Sequence, residues 1–407
     1  MRALLSTIGS RGDVQPLLAL AVQLRTLGHD AHLCVPPDFR GPIEDLGFTV
    51  TTIGPELRKM TAAGPPAATA PMTPEMRRKL AEGTVGAQFE TVSAAAHGCD
   101  IIVAATALQI AARSVAEKLG LPYVFVAYCP AVLPSAHHAP PPLPPLPGQA
   151  SAPAADNREL WVRDAERFNG LFGDVLNAHR ASLGLSPVSD VRSHIFGDQV
   201  WLASDPTLGP WPDPEDRTVL QTGAWILPDK RPLPDDVEMF LDEGEPPVYF
   251  GFGSIRAPYG LSAAMIDAAR AVGRRAIVSR GWAELSLTDN ETDCLAIGDV
   301  NLQELLTRVA AAVHHGGAGT TTTAALAGAP QVLIPQLYDQ HYWARRTQEL
   351  GIGVAHAPGA PTAESLTTAL DEARQPNVGR QARAIAAAVR LDGAEAAARS
   401  VVKSARS

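Results

Sequence analysis

The chain has 407 residues, 46% of them apolar, and a formal net charge of −9. That length suits about two domains with full cores, and the acidic balance speaks against a nucleic-acid or anionic-membrane partner. Cys34, Cys99, Cys129 and Cys294 show no paired spacing, so buried free thiols in a reducing compartment are expected and a metal site is not. No apolar run reaches membrane-spanning length, and Gly9-Ser10-Arg11-Gly12-Asp13 interrupts the apolar start too early for a signal peptide. The expectation is a soluble cytoplasmic protein without membrane insertion.

Taken in order, Ala3 to Ile8 reads as a buried strand. Pro16 opens a helix that runs to Leu27 and stops at Gly28. Strands follow at 31–35, 48–53, 100–105 and 122–127, with helices at 39–46, 75–97 and 108–119 between them. This alternation predicts a doubly wound parallel α/β sheet. Residues 54–74, rich in Pro, Ala and Thr, read as a mobile loop that closes over a ligand. The proline run 140–147 reads as a stiff polyproline loop rather than a docking motif. A long helix covers 161–183, and Val200 to Ser204 reads as the last strand of the first half. Prolines 206, 210, 212 and 214 mark a linker, which puts the domain boundary near residue 215. The second half repeats the pattern, with strands at 247–252, 275–279, 310–313 and 331–334, helices at 261–272 and 320–327, and an Ala-rich helical tail over 362–402.

The chain is organised around Val313-His314-His315-Gly316-Gly317-Ala318-Gly319-Thr320-Thr321, followed by Pro335-Gln336-Leu337-Tyr338-Asp339-Gln340. The glycines fall between a strand and a helix start, where free N–H groups and the positive end of the helix dipole suit a phosphate. Without a Cβ, Gly316, Gly317 and Gly319 let backbone approach a ligand. His315 offers a donor or a positive charge. His314 and His315 alternate across a strand, so one faces the ligand and the other is structural. Asp339 and Gln340 lie just past a strand's carboxyl end, where an acid and an amide suit sugar hydroxyls. The run lacks the Lys of a P-loop and the Gly-x-Gly-x-x-Gly of a dinucleotide fold.

Asp13 has two readings, a helix N-cap and a general base for a hydroxyl proton. Arg11 is a surface charge or a phosphate contact. Gly253-Ser254 forms a second loop after a strand. Trp282 packs in the core or stacks on a base, and the Gly298-Asp299-Val300-Asn301 turn offers backbone to base edges.

These residues together resemble the nucleotide-sugar-dependent glycosyltransferases of the GT-B fold that decorate natural products, especially the vancomycin-type glycopeptide antibiotic glycosyltransferases. The likeness runs along nearly the whole chain, through 9–13, 113–120, 221–228, 251–254, 279–282 and the His-His-Gly-Gly run. It implies two Rossmann-like domains facing a cleft, 1–215 for the acceptor and 216–407 for the donor, with the last helix packing back on the first. It implies an inverting, metal-independent hexosyltransferase that moves a hexose or deoxyhexose from a TDP- or UDP-sugar to a hydroxyl of an aglycone in antibiotic biosynthesis, without a cofactor, acting as a monomer or weak dimer. Asp13 matches the family's base, and Asp339 counts with it as catalytic. Ser10, Arg11, Ser254, His315, Gly317, Gly319 and Thr320 match positions around the diphosphate. Trp282 and Val300 match the base region, and Asp339 and Gln340 the donor-sugar hydroxyls. The acceptor loops, 54–74 and 128–160, carry no match that names an aglycone. Three rivals remain: a sterol or lipid glucosyltransferase, a nucleotide-sugar epimerase of the same fold, and a catalytically silent nucleotide-sugar-binding protein.

Overall fold

The computed structural model describes residues 1–61, 73–106, 108–142, 156–213, 215–216, 218–255, 260–282, 284–289, 291–357 and 360–406. Most of the expected 54–74 loop, and the proline run beyond 142, lie outside them. Two all-parallel sheets form. The first holds β1 (Arg2–Ser6), β2 (Asp30–Val35), β3 (Thr49–Thr52), β4 (Ile101–Ala105), β5 (Tyr123–Ala127), β6 (Val200–Leu202) and β7 (Val219–Gln221), in the order β3-β2-β1-β4-β5-β6-β7. The second holds β8 (Val248–Gly251), β9 (Ala276–Ser279), β10 (Cys294–Ile297), β11 (Ala311–His314), β12 (Gln331–Leu333) and β13 (Gly353–Ala355), ordered β10-β9-β8-β11-β12-β13. Both are doubly wound, Rossmann-like sheets, as the resemblance implies. Their strand order reverses beside β1 and β4 in one and β8 and β11 in the other, the positions at which such sheets bind ligands.

Alternation along the strands separates the cores. Leu4, Ile102 and Phe125 fill one face of the first sheet, and Leu5, Val103 and Val126 fill the other. Cys34, Cys99, Cys129 and Cys294 are all buried free thiols.

Several elements differ from the sequence expectation. The first helix runs Arg11–Thr26 and so starts five residues before Pro16. Pro16 withholds one N–H from the ladder, while a capping box made by Ser10 and Asp13 fixes the earlier start. Val200–Leu202 is not the last strand of its sheet, because Val219–Gln221 pairs with it. Three residues leave little room for a periodic signal. Leu57–Thr61 is a short helix inside the expected loop. The Ala-rich tail is three helices, Ala363–Ala373, Pro376–Ala386 and Gly393–Ser404.

The last of these crosses back to the first half. Ala394, Ala397, Ala398 and Val401 join the core built on Leu17, Leu20 and Leu24 of the first helix. The crossing is tight, since a Cβ on Gly393 would collide with the backbone of Gly223 and Ala224. Arg390 N–H donates to Asp205 at 2.9 Å, which pins the return of the chain. The carboxyl ends of the two sheets therefore face each other. Arg11, after β1, pairs with Asp299, after β10, at 2.8 Å. Phe39, after β2, stacks on Trp282, after β9, with ring centroids 5.8 Å apart.

Candidate active site

On the first-half side the site is built by the turn into the Arg11–Thr26 helix. Ser10 is the N-cap and Asp13 the third helical residue, so Asp13 is the reciprocal partner in a capping box rather than the N-cap itself. Ser10 N–H donates to Asp13 Oδ2 at 2.7 Å, and Ser10 Oγ lies 3.4 Å from the same oxygen. The carboxyl folds over Gly9, where any Cβ would overlap it. Tyr128 Oη, at the end of β5, donates to the Asp13 backbone carbonyl at 3.0 Å. Asp13 is half-buried, and its charge reaches Asp339 on the second half. Enough protein surrounds its carboxyl to raise the pKa to about 6, against the lowering effect of the Ser10 bonds.

On the second-half side, β11 delivers the two histidines. His314 is fully buried. Its Nε2 meets Gln331 Oε1 at 2.9 Å and its Nδ1 accepts from Gly316 N–H at 3.1 Å, so Nε2 carries the proton. Burial lowers its pKa to about 4. His314 is thus the structural member of the pair. His315 lies beside Gly317, where a Cβ would stand 2.5 Å from Nε2, and beside Gly253, where one would stand 3.3 Å from Cε1. Burial, with a lesser contribution from His314, lowers its pKa to about 3. The ring is therefore neutral at pH 7 and acts as a donor, not as a fixed positive charge. Its buried Nδ1 has no hydrogen-bond partner among the described residues, and the Gly251 backbone works against the lowering; a proton on Nε2, the ring atom beside Gly317, makes that edge the donor. Gly317 caps the helix Ala318–Leu326, whose first intrahelical bond of this turn runs from Thr321 N–H to Gly317 O. The N–H groups of Ala318, Gly319 and Thr320 have no partner within the helix. Three free N–H groups, a dipole end and the Nε2 edge of His315 beside Gly317 make an anion cradle.

Asp339 caps the helix Gln340–Glu349. Its Oδ2 accepts from Trp343 Nε1 at 3.2 Å. Burial first, and the Asp13 charge second, raise its pKa to about 7. The two carboxylates thus feel each other across the cleft. Tyr338, just before Asp339, has φ 53°, a left-handed conformation that costs a bulky residue energy. Thr106, Glu284 and Tyr338 are the non-glycine residues with positive φ among the described residues, and each follows the carboxyl end of a strand. Strain of this kind gathers at sites of function.

The other expected residues are also placed by the fold. Arg11 is held by Asp299, which Arg231 also reaches at 3.3 Å. The Trp282 ring lies on Phe39, and the Trp282 backbone N–H donates to Gly253 O at 2.9 Å. Ser254 sits half-buried after β8, next to the glycine that flanks His315. Val300 is buried in a core of the second half. Gln340 uses its side-chain oxygen to accept from Gln336 and Leu337 N–H at 2.7 and 3.2 Å, so only its NH₂ remains for a ligand. Sequence reasoning missed Phe39, Tyr128, Asp299 as a partner of Arg11, and Trp343. Tyr128 follows β5 directly, and that position at a strand's carboxyl end was a usable signal. The Phe39 and Asp299 contacts join distant segments and left no local trace. Among the described residues, no group of three or more His, Cys, Asp or Glu could hold a metal ion, and no helix is long and apolar enough to cross a membrane.

Comparison with known proteins agrees with this geometry at each end of the chain. Residues 3–137 match the glycosyltransferase family 28 N-terminal domain, and residues 264–402 match the C-terminal domain of erythromycin biosynthesis protein CIII-like proteins. Glycosyltransferase GtfE of Amycolatopsis orientalis is 49% identical over 98% of this chain and 96% of its own. Vancomycin aglycone glucosyltransferase of the same organism is 47% identical over the same shares. The solved glycotransferase of kitacinnamycin superposes with a TM-score of 0.73 at 16% identity, covering 99% of this chain and 98% of that one. Glycosyltransferase VinC, solved with dTDP, gives 0.67 at 22% over the whole of both. The structural matches speak for the fold and the sequence matches for the family: this chain belongs to the GT-B natural-product glycosyltransferases, the family of the vancomycin-pathway enzymes.

Proposed function

We propose that the enzyme transfers a hexose or deoxyhexose, with inversion and without a metal, from a TDP- or UDP-sugar to a hydroxyl of a natural-product aglycone. The observation that carries this reading is the opposition of two features across one cleft. A carboxyl tuned to about pH 6 stands on the first half, and an anion cradle stands on the second. In this reading residues 1–215 hold the acceptor and 216–407 the donor.

The donor diphosphate lies on the N–H groups of Ala318, Gly319 and Thr320, with His315 donating to it and Ser254 beside it. Asp339 and the Gln340 amide hold sugar hydroxyls. Asp13 accepts the acceptor's hydroxyl proton as the acceptor oxygen bonds to the anomeric carbon. The bond from that carbon to the diphosphate breaks, and its electron pair leaves with the diphosphate. The growing negative charge falls where the helix dipole and His315 already point, so little reorganisation is needed. A single displacement from the opposite face inverts the anomeric configuration. Asp13 then returns its proton to solvent. Arg11, Trp282 and Val300 border the nucleotide on the same side, and Arg11 exchanges Asp299 for phosphate as the donor enters.

The names of the relatives support a glycopeptide-like aglycone as the first acceptor to try. The test is incubation with TDP- and UDP-glucose and a panel of glycopeptide, polyketide and sterol acceptors in EDTA, read by mass spectrometry, with the product linkage read by NMR. A β-linked product from an α-linked donor on a glycopeptide or polyketide is expected. Turnover of donor without acceptor would make the enzyme an epimerase, and glucosylation of sterols alone would overturn the acceptor class. Nucleotide binding without any turnover would make the protein silent.

A further inference from the structure

We propose that Arg345 selects acceptors carrying an anionic group, about two helical turns from the reacting hydroxyl. This rests on the glycosyltransferase reading above and adds a substrate feature to it. A cavity of about 180 Å³ lies between the two halves, walled by Pro130, His138 and, from the β6–β7 connection, Pro210 of the first, and by Tyr342, Arg345 and Glu349 of the second. None of these residues has a place in the donor site. The cavity adjoins the reaction centre. Cys129, next to Pro130, is buried and feels the charges of both Asp339 and Arg345. Asp339 caps the helix that carries Arg345, and six residues of helix put Arg345 about 9 Å along the axis from it.

The chemistry of the lining is specific. Arg345 and Arg346 share one carboxylate, with Glu349 oxygens 3.6 and 3.3 Å from them. Arg346 is already engaged, because it donates to Leu208 O at 2.9 Å and so ties the helix to the β6–β7 connection of the first half. Among the described residues Arg345 makes only the looser ion pair, and it lies over the Tyr342 ring at 5.9 Å, with its side chain 62% exposed. One positive charge is therefore left over, facing a cavity, in a chain whose net charge is −9. The remaining walls are proline and aromatic surface, which suits a rigid, partly aromatic ligand. The volume admits a substituent and not a whole aglycone. A carboxylate on such a substituent would meet the outer edge of a planar guanidinium whose Nε already faces Glu349.

The test uses the full-length enzyme with TDP-glucose and with vancomycin aglycone and its methyl ester, each as acceptor. Wild type is expected to prefer the acid over the ester by about two- to fivefold in kcat/KM, the gain of an ion pair to a largely exposed guanidinium. In Arg345→Ala that preference collapses through a rise in KM for the acid, with kcat and the donor KM little changed. Arg345→Lys restores part of it, and Arg345→Glu reverses it. Should neither acceptor be glucosylated, calorimetric binding of acid and ester in the presence of TDP gives the same comparison, so failure of turnover and failure of selectivity read separately. Equal losses for acid and ester in Arg345→Ala, or weakened TDP binding with acceptor selectivity intact, overturn the proposal.

Discussion

Gly317 is the position at which one methyl group tests the whole donor site. Its backbone is extended, with φ −65° and ψ 144°, so alanine meets no conformational penalty there. The penalty is steric, since the new Cβ would stand 2.5 Å from His315 Nε2 and 3.4 Å from Cε1. Ordinary contact needs about 1 Å more, and the ring's other edge already faces Gly253. Gly317→Ala must therefore push the imidazole off its place, at a cost of about 1–3 kcal/mol in overpacking. The displaced ring loses its bond to the diphosphate, which is worth about 1.5–3 kcal/mol when the partner is charged. Affinity for TDP is expected to fall by about tenfold or more in calorimetry, with a lowered melting temperature. Gly319→Ala is the control, because its Cβ meets nothing within 4 Å of protein. It should leave the melting temperature unchanged and affect only what binds against it. Wild-type TDP affinity in a folded Gly317→Ala protein would refute the placement of His315 at the diphosphate.

Three further outcomes are expected. His315→Ala should weaken TDP binding and slow turnover with a modest change in stability. His314→Ala should cost about 2 kcal/mol or more in denaturant unfolding, because Gln331 and the Gly316 N–H lose a buried partner; equal effects of the two on TDP binding would erase the division of roles. Turnover in EDTA should match turnover in magnesium, and a rate that collapses on chelation and returns with the metal would show that the helix end and His315 do not carry the leaving-group charge.

The strands were legible in the sequence because parallel strands buried on both faces read as short apolar runs, as at 101–105 and 123–127. Three strands escaped. Val219–Gln221 is three residues of half-buried surface, and Cys294–Ile297 and Gly353–Ala355 are nearly as short. The glycine loop was legible because its chemistry is local, a strand, a turn and a helix start within ten residues. The partners of Arg11 and Trp282 were not, since Asp299 and Phe39 become their neighbours only when the last helix returns and the carboxyl ends of the two sheets face each other. The tuning of Asp13 and Asp339 is non-local for the same reason, since it depends on the cleft that buries them.

Asp13→Asn separates the capping and catalytic readings of that residue through stability as well as rate. In the fold Asp13 ionises at about 6 against an ordinary 3.8. Between those values the folded protein keeps a proton that the unfolded chain has released, so stability falls as pH rises from about 4 to about 6 and stays low above. The full rise corresponds to about 3 kcal/mol, and the water that reaches a half-buried carboxyl reduces this to about 1–2 kcal/mol. Asparagine carries no charge to bury, and its side-chain oxygen can still accept from Ser10 N–H, so the cap survives. It also removes the charge that helps to raise Asp339, which should then ionise at lower pH. The variant is therefore expected to unfold at higher denaturant than wild type at pH 8, with the difference closing near pH 4, where wild-type Asp13 is itself neutral. Turnover should fall by about 10²-fold or more while TDP affinity holds, since amide nitrogen cannot take the acceptor's proton. Stabilisation at the expense of rate is what a buried, ionised base predicts. A variant with wild-type turnover and an unchanged profile of stability against pH would return Asp13 to the role of a capping residue, and the base would have to be sought elsewhere in the cleft, with Asp339 the first to replace.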